Sequence, residues 1–565
     1  MKTRSMLSLL IALAMLVACV PALATVEIQG DPRIAQEGED ITFTVFQALT
    51  STVEDLSYEK NQATKIITDA TGIKLEFIAA PAADKLTKLN LLLNSGDYPD
   101  IISARATLSR AEMAMYADQG IFVDMSEYIT PELAPNTYEI FASNAAAKLV
   151  CTGTDGGIYS LPDINECYHC LHGNGRAWYY MPWMAQYEAG VPTTTDELEA
   201  YLKWILETDV NGNGDATDEV PLAFPKDNNN RFIIWISNFF QPYTSDHYRV
   251  EADGTISALF VNEEYKQTLE YANKLYSEGL ILEDSFSVAT EDLRTVGEDP
   301  NGARLGVIVG WGPEDGVAKA GTTLRWYEYG LLSPVEGPTG ARYAVYSGDW
   351  GSVSNGWFVT DSCENVEYAT RLGDLLLDEY FGYTTYIGPK GVSWDDPNEG
   401  ALGFNGQPAL FRELVAYGTQ ETNCSWDQSN ITNRYVDFRM SQEAEGVDLI
   451  HQYLDGDFSL KEEVAKLGSY NEVMKYYECE KNLHPYIIDE STIVPSLLYA
   501  DDVADQVADA TALVDAYRAE MLAAFVTGTR SLDEYDQYVQ EMNDMGLGII
   551  LDAKNAAYQE YLATK

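Results

Sequence analysis

Ile41-Thr-Phe-Thr-Val-Phe46 alternates apolar and polar side chains and reads as a β-strand. Ala63, Ile66, Ile67 and Ala70 follow at helical spacing. Thr71-Gly72 closes that helix, because Gly takes up the left-handed backbone of a C-cap without steric cost. Ile73-Lys-Leu-Glu-Phe-Ile78 is a second strand. Residues 84–94 carry a second helical pattern that stops at Ser95-Gly96, and Pro99-Asp100-Ile101-Ile102 opens a third strand. Strands that alternate with single helices at this spacing predict an α/β lobe around a largely parallel sheet.

Working outward, the 565-residue chain exceeds one ordinary hydrophobic core and implies at least two lobes. Ile158-Tyr-Ser-Leu-Pro162 leads out of the first α/β segment. Thr194 and Glu197 form a capping box, with Leu198, Tyr201, Leu202, Ile205 and Leu206 at helical spacing behind it. Leu305-Gly-Val-Ile-Val-Gly310-Trp311 reads as a buried strand whose end presents an aromatic ring. Its glycines do not form the G-x-G-x-x-G of a dinucleotide site. Gly356-Trp-Phe-Val359 is another strand, followed by a helix from about Val366 to Phe381. Ser531 and Glu534 read as a second capping box, with Leu532, Tyr535, Tyr538, Val539 and Met542 beneath it. There is no internal repeat.

Residues 1–24 read as an export signal. Lys2 and Arg4 precede an apolar run, Met6 to Val17, that is too short to span a bilayer. Leu16-Val-Ala-Cys19 resembles a lipobox that would leave Cys19 lipidated. Ala22-Leu23-Ala24 is a competing site for ordinary secretion. No later stretch approaches the ~18 continuous apolar residues of a membrane span. The expected location is therefore the extracellular face of the membrane or the medium, with membrane contact only through a lipid anchor. A net charge of −52 argues against nucleic acid and direct membrane adsorption. Besides Cys19, the cysteines are scattered: Cys151, Cys167, Cys170, Cys363, Cys424 and Cys479. If Cys167-Tyr-His169-Cys170-Leu-His172 is a strand, its thiols and imidazoles point to opposite faces. That favours buried thiols over a disulfide or a zinc site.

Asp209-Val-Asn211-Gly-Asn213-Gly-Asp215-Ala-Thr-Asp218-Glu219 places an oxygen side chain at alternate positions, with glycines between. A loop of this kind can aim several oxygens at one hard cation such as Ca²⁺, which takes about six to eight oxygen ligands. It opens like an EF-hand loop but has Val220 where that loop has its bidentate Glu. The alternative is a solvated Asn/Gly/Asp turn.

Several segments taken in order resemble the extracellular solute-binding proteins (family 1) of bacterial ABC-type oligosaccharide importers, and within them the large, calcium-containing branch that includes the alginate-binding proteins. They are Lys88-Leu-Asn-Leu-Leu-Leu-Asn-Ser-Gly-Asp-Tyr-Pro-Asp-Ile-Ile102, Gly157-Ile-Tyr-Ser-Leu-Pro162, Val191-Pro-Thr-Thr-Thr-Asp-Glu-Leu198, the 209–219 loop and Phe525-Val-Thr-Gly-Thr-Arg-Ser-Leu-Asp-Glu-Tyr-Asp-Gln-Tyr-Val539. The resemblance implies a two-lobed α/β fold of the periplasmic-binding-protein kind, a hinge of several crossing segments and a helical C-terminus. The expected boundaries are 38–160 plus 303–348 for the first lobe, 161–302 plus 349–500 for the second, and 501–565 for the terminal helices. It also implies a structural Ca²⁺ on Asp209, Asn211, Asn213, Asp218 and Glu219, with Asp215 giving a backbone oxygen. This chain has one extra residue before Asp218-Glu219. Trp178-Tyr-Tyr-Met-Pro-Trp183 stands where relatives carry an Asn-Lys-Pro-Trp-like sequence.

The function so implied is binding without catalysis. The lobes close around a carbohydrate and deliver it to the permease subunits of an ABC transporter, with the binding protein a monomer. Aromatic rings would cover the sugar's C–H faces, and carboxylates would take its hydroxyls. Tyr159, Trp311, Trp350, Trp394 and Trp426 are the candidate platforms, the tryptophans because they sit in Gly/Asp/Asn/Ser-rich loops. Asp97 and Asp100 are candidate hydroxyl acceptors. The charge of −52 makes a neutral oligosaccharide the expected ligand. The competing readings are a secreted glycoside-active enzyme with paired carboxylates and a calcium-stiffened glycan-adhesion protein. With 88 acidic residues, carboxylate pairs arise by chance, and no nucleophile elbow, H-E-x-x-H or P-loop supports an enzyme.

Overall fold

The computed structural model describes residues 26–28, 30–49, 53–81, 84–103, 108–165, 168–319, 321–347, 352–415, 421–426, 440–499 and 501–563. Residues 1–25 with Cys19, and also Cys167 and Trp350, lie outside the described residues. The strands that build the two main sheets are β1 (Ile41–Leu49), β2 (Ile73–Pro81), β3 (Ile101–Ser103), β4 (Leu161–Asn165), β5 (Ala177–Tyr180), β6 (Val220–Ala223), β7 (Leu305–Val309), β8 (Tyr329–Leu331) and β9 (Ser352–Val359). One sheet is five-stranded in the order β2-β1-β3-β9-β4, and the other four-stranded in the order β8-β5-β7-β6.

In the first lobe, α1 (Gln62–Thr71) joins β1 to β2 and α2 (Lys85–Ser95) joins β2 to β3. Asn61 caps α1 by accepting from the Thr64 N–H. Gly72, at φ 74°, ends it by donating its own N–H to Thr68 O. β1 pairs parallel with both β2 and β3, as the alternation of strands and helices requires. β9 runs antiparallel between β3 and β4. Phe43, Val45, Ile67, Ile101 and Trp357 are buried together between this sheet and its helices.

In the second lobe, β6 and β7 are parallel, and β5 runs antiparallel between β7 and β8. β7 is buried along its whole length, which suits its continuous apolar sequence. α3 (Thr195–Glu207) starts where the capping box places it. Thr194 Oγ1 accepts from Glu197 N, and the Glu197 carboxylate accepts from Thr193. α4 (Asn229–Ser237) and α5 (Glu263–Ser277) follow β6, and the C-terminal helices lean on them. Asn273 donates to Phe525 O, and the Tyr538 hydroxyl donates to Phe260 O. Among the described residues no helix is long and apolar enough to cross a membrane.

The structure corrects several expectations. Residues 305–331 supply β7 and β8 to the second lobe, not the first, whereas β4 and β9 belong to the first lobe's sheet. Residues 305–331 and 352–359 thus change lobes, because a strand's sequence records its burial and not its sheet partners, while Ile450, Tyr453, Tyr470 and Cys479 are buried with the second lobe's core. The helix expected over Val366–Phe381 is two, α6 (Val366–Leu375) and α7 (Glu379–Ile387). Asp378 restarts the helix by accepting from Tyr380 N. Ser531 accepts from Asp533 N and opens a 3₁₀ turn, Leu532–Glu534, so the α-helix begins only at Tyr535. Tyr168–Leu171 is a helical turn and not a strand. His169 in that turn is buried, with Nε2 2.5 Å from Glu472 Oε2. Cys151, Cys363, Cys424 and Cys479 are buried thiols outside any disulfide.

Candidate ligand cleft and cation loop

Strand direction places the cleft. In the first lobe β1 and β2 end level at Leu49 and Pro81. Ser103, the last residue of β3, stands opposite Gln47, and Asn165, the last residue of β4, pairs with Ser352. These ends share one edge of the sheet. From Asn165 the chain passes to Ala177, which pairs with Val309, the last residue of β7. It returns from β8, where Leu332 N donates to Ala177 O, to Ser352. Both crossings therefore join the carboxyl edge of one sheet to the carboxyl edge of the other. They are tied together where Ser347 N donates to Leu171 O at 3.1 Å. In open α/β sheets, ligands lie outside the carboxyl ends of the strands. Here both such edges converge on the hinge.

The second-lobe edge is built around Trp311. Gly310 N donates to Arg176 O, extending the β5–β7 ladder by one step. Trp311 N donates to Asp315 Oδ2 at 2.6 Å, and Asn228 Nδ2 donates to the same oxygen at 2.9 Å. Arg176 donates from Nε to His172 O and from Nη1 to Trp311 O. The guanidinium carbons of Arg176 and Arg231 lie 5.3 and 5.5 Å from the Trp311 ring centroid. Gly173 is required here, because a Cβ at that position would stand 2.2 Å from Trp311 Cζ3. Burial pushes the His172 imidazole down to about 3, so it sits neutral behind Arg176. On the first-lobe edge, Gln47 is fully buried and neither atom of its side-chain amide makes a hydrogen bond.

Of the residues singled out from sequence, Trp311 alone stands at this edge among those described. Trp394 is 0 % exposed and packs edge-on against Tyr383, with Nε1 donating to Gly388 O. Trp426 is 1 % exposed, edge-on to Phe77, and donates to Thr64 Oγ1. Both are core rings, because an indole among Gly, Asp and Ser still buries its large apolar face when the loop folds back on a lobe. Tyr159 precedes β4 at the opposite edge, with its hydroxyl on Asp155 and its ring against Gly153 and Gly157. Asp97 and Asp100 lie before β3, also at the amino edge. Asp100 Oδ2 accepts from both Thr44 N and Thr44 Oγ1, a clamp between β1 and β3 and not a hydroxyl acceptor. Trp178 and Trp183 are buried in the second lobe's core. Sequence reading missed Arg176, Arg231, Asn228 and Asp315. The available signal was scarcity: the chain has only 36 basic residues against 88 acidic ones.

The 209–219 loop curls through Gly212 and Gly214, both in the left-handed region at φ 71° and 91°. Asp209 accepts from Asn213 N and Gly214 N, and the Asn211 and Asn213 amides donate to the two oxygens of Asp218. Arg304 Nε donates to Asp218 O. Among the described residues no group of three or more His, Cys, Asp or Glu side chains converges into a metal cage. One observation does suit a cation. Glu219 is 5 % exposed and its Oε2 has no hydrogen-bond partner. Burial, with the charges of Asp218 and Asp209 beside it, raises the Glu219 carboxyl above its ordinary range.

No family model matches the chain. The fructooligosaccharide ABC transporter substrate-binding protein FusA of Streptococcus pneumoniae is 24% identical over 500 residues, covering 88% of this chain and 86% of its own. The structure of a FusA EF-hand mutant in complex with fructo-nystose superposes with a TM-score of 0.70 at 20% identity, covering 93% of this chain and all of that one. An extracellular solute-binding protein from Bifidobacterium longum subsp. infantis gives a TM-score of 0.73 at 19% identity, covering 93% and 99% of the two chains. All are named as substrate- or solute-binding proteins. With two α/β lobes and carboxyl edges that face a shared hinge, the chain has the two-lobed fold of these solute-binding structures and is similar along nearly its whole length to the substrate-binding protein of a fructooligosaccharide ABC transporter.

Proposed function

We propose that the protein captures an oligosaccharide between the carboxyl edges of its two lobes and presents it to the permease subunits of an ABC importer. The observation that carries this reading is the pair of crossings, Asn165 to Ala177 and Leu331 to Ser352, which hinge the two edges on each other. A relative that serves fructooligosaccharide transport along 88% of the chain supports a sugar as the solute. Opening and closing needs only a difference in sugar affinity between the two states.

The 209–219 loop is proposed to hold one structural Ca²⁺, supported by the unpartnered Glu219 oxygen and by the EF-hand named in the FusA relative. Asp209, Asn211, Asn213, Asp218 and Glu219 would supply side-chain oxygens, with Asp215 giving its backbone oxygen. Charge neutralisation would stiffen the turn between α3 and β6. The lipobox reading of Leu16-Val-Ala-Cys19 supports a lipid anchor at the cell surface.

Glycan-array binding by the folded chain, followed by small-angle scattering with the best sugar, tests the main reading. A sugar-dependent compaction is expected. Hydrolysis of the sugar, or no sugar bound at all, would overturn it.

A further inference from the structure

The expectation of a neutral ligand rested on the net charge of −52. That charge is distributed over the chain, and at physiological ionic strength its reach is about 8 Å. A sugar inside the cleft meets instead the groups at the hinge edge, and two of these are arginines. Arg176 is 0 % exposed. Among the described residues the hydrogen bonds of these two guanidiniums go to neutral oxygens, Arg176 to His172 O and Trp311 O and Arg231 to Asn228 Oδ1. Arg231 Nε is buried without a hydrogen-bond partner, and Arg176 Nη2 faces at most the neutral thiol of the buried Cys479. The nearby carboxylate, Asp315, is held by the neutral donors Trp311 N and Asn228 Nδ2. The Trp311 ring carries both guanidiniums and the backbone of Gly173, so it acts as a spacer that fixes two cations and not as an open sugar platform. α4 begins at Asn229, next to Arg231, without a side-chain cap, and the first turn of a helix favours negative charge.

We propose that this corner of the second lobe reads a carboxylate on the bound sugar, with Arg231 and Arg176 as its specificity-determining residues. A buried guanidinium without a counter-charge is costly, and a planar carboxylate matches its fork of donors in two parallel hydrogen bonds. The ligand so defined is an oligosaccharide with at least one acid-bearing residue placed against the hinge. This rests on the oligosaccharide reading above.

The test uses the folded chain on an array of neutral, uronic-acid, sulfated and phosphorylated oligosaccharides. Calorimetry then compares the best acid-bearing sugar with its carboxyl-reduced form, in which the carboxylate is a hydroxymethyl group. The expected result is a loss of at least tenfold on reduction. Arg231→Met removes that discrimination while the protein still melts cooperatively at no lower temperature, and Arg231→Lys, which keeps the charge without the fork, restores only part of it. Equal affinity for the acid and its reduced form overturns the inference and leaves the sugar reading intact. Preference for sulfate or phosphate over carboxylate overturns the carboxylate assignment. Binding of no glycan overturns both readings.

Discussion

Replacing Glu478 by Gln is expected to stabilise the protein increasingly as pH rises. Glu478 is buried on the helix Tyr470–Asn482, where its Oε2 accepts from Leu331 N at 2.9 Å and from Asn482 Nδ2 at 2.9 Å. Burial pushes its carboxyl up to about 7 from an ordinary 4.5, against the smaller opposing effects of the Leu331 N–H and Lys481. The folded state therefore keeps a proton that the unfolded chain surrenders near pH 4.5. Between those two values the folded state binds more protons, so this group's contribution to stability falls as pH rises and levels off above pH 7. The separation corresponds to about 3 kcal/mol of penalty at pH 8 and roughly 1 kcal/mol at pH 5. Gln removes the charge and its one carbonyl oxygen can keep both bonds that Oε2 accepts, but it buries an amide NH₂ in place of the second oxygen, at a cost of about 1 kcal/mol at either pH. The variant should thus be near neutral at pH 5 and about 2 kcal/mol more stable at pH 8. Urea unfolding of both proteins at the two pH values measures it, and the wild-type subtraction removes every other titrating group. An equal difference at both pH values would refute the reasoning.

Other outcomes follow from the same structure. Chelation should lower the melting temperature, since a cation bound only to the folded state adds about 2.7 kcal/mol at a hundredfold excess over Kd. Asp209→Ala should remove that response, and an unmoved melting curve with no copurifying metal would dismiss the Ca²⁺ reading. Trp426→Ala should cost about 3–5 kcal/mol in stability while leaving sugar affinity intact, because its ring is in the core; lost affinity with unchanged stability would return it to the cleft. Cys19→Ala should release the protein from the cell surface into the medium, whereas a mature N-terminus at Thr25 would establish secretion without a lipid.

The sequence by itself determined the elements of the first α/β lobe and the two-lobed fold class. Period-two alternation in 41–46 and 73–78, with glycines at 72 and 96 ready for positive φ, set a parallel α/β lobe, since those signals are local. The glycine-spaced oxygens of 209–219 likewise marked a tightly curled loop with Gly212 and Gly214 at positive φ, because those signals too lie in one short segment. What only the tertiary structure decided is which strands share a sheet and which rings face the cleft. Leu305–Val309 is equally apolar in either lobe, and its pairing with Ala177–Tyr180 and Val220–Ala223 depends on residues about a hundred positions away. Trp394 and Trp426 differ from Trp311 by what packs on them, not by their neighbours in sequence. Arg176 and Arg231 meet only when β5, β7 and α4 bring them to one indole. A cluster at a hinge is assembled from distant segments, and local sequence carries no record of that assembly.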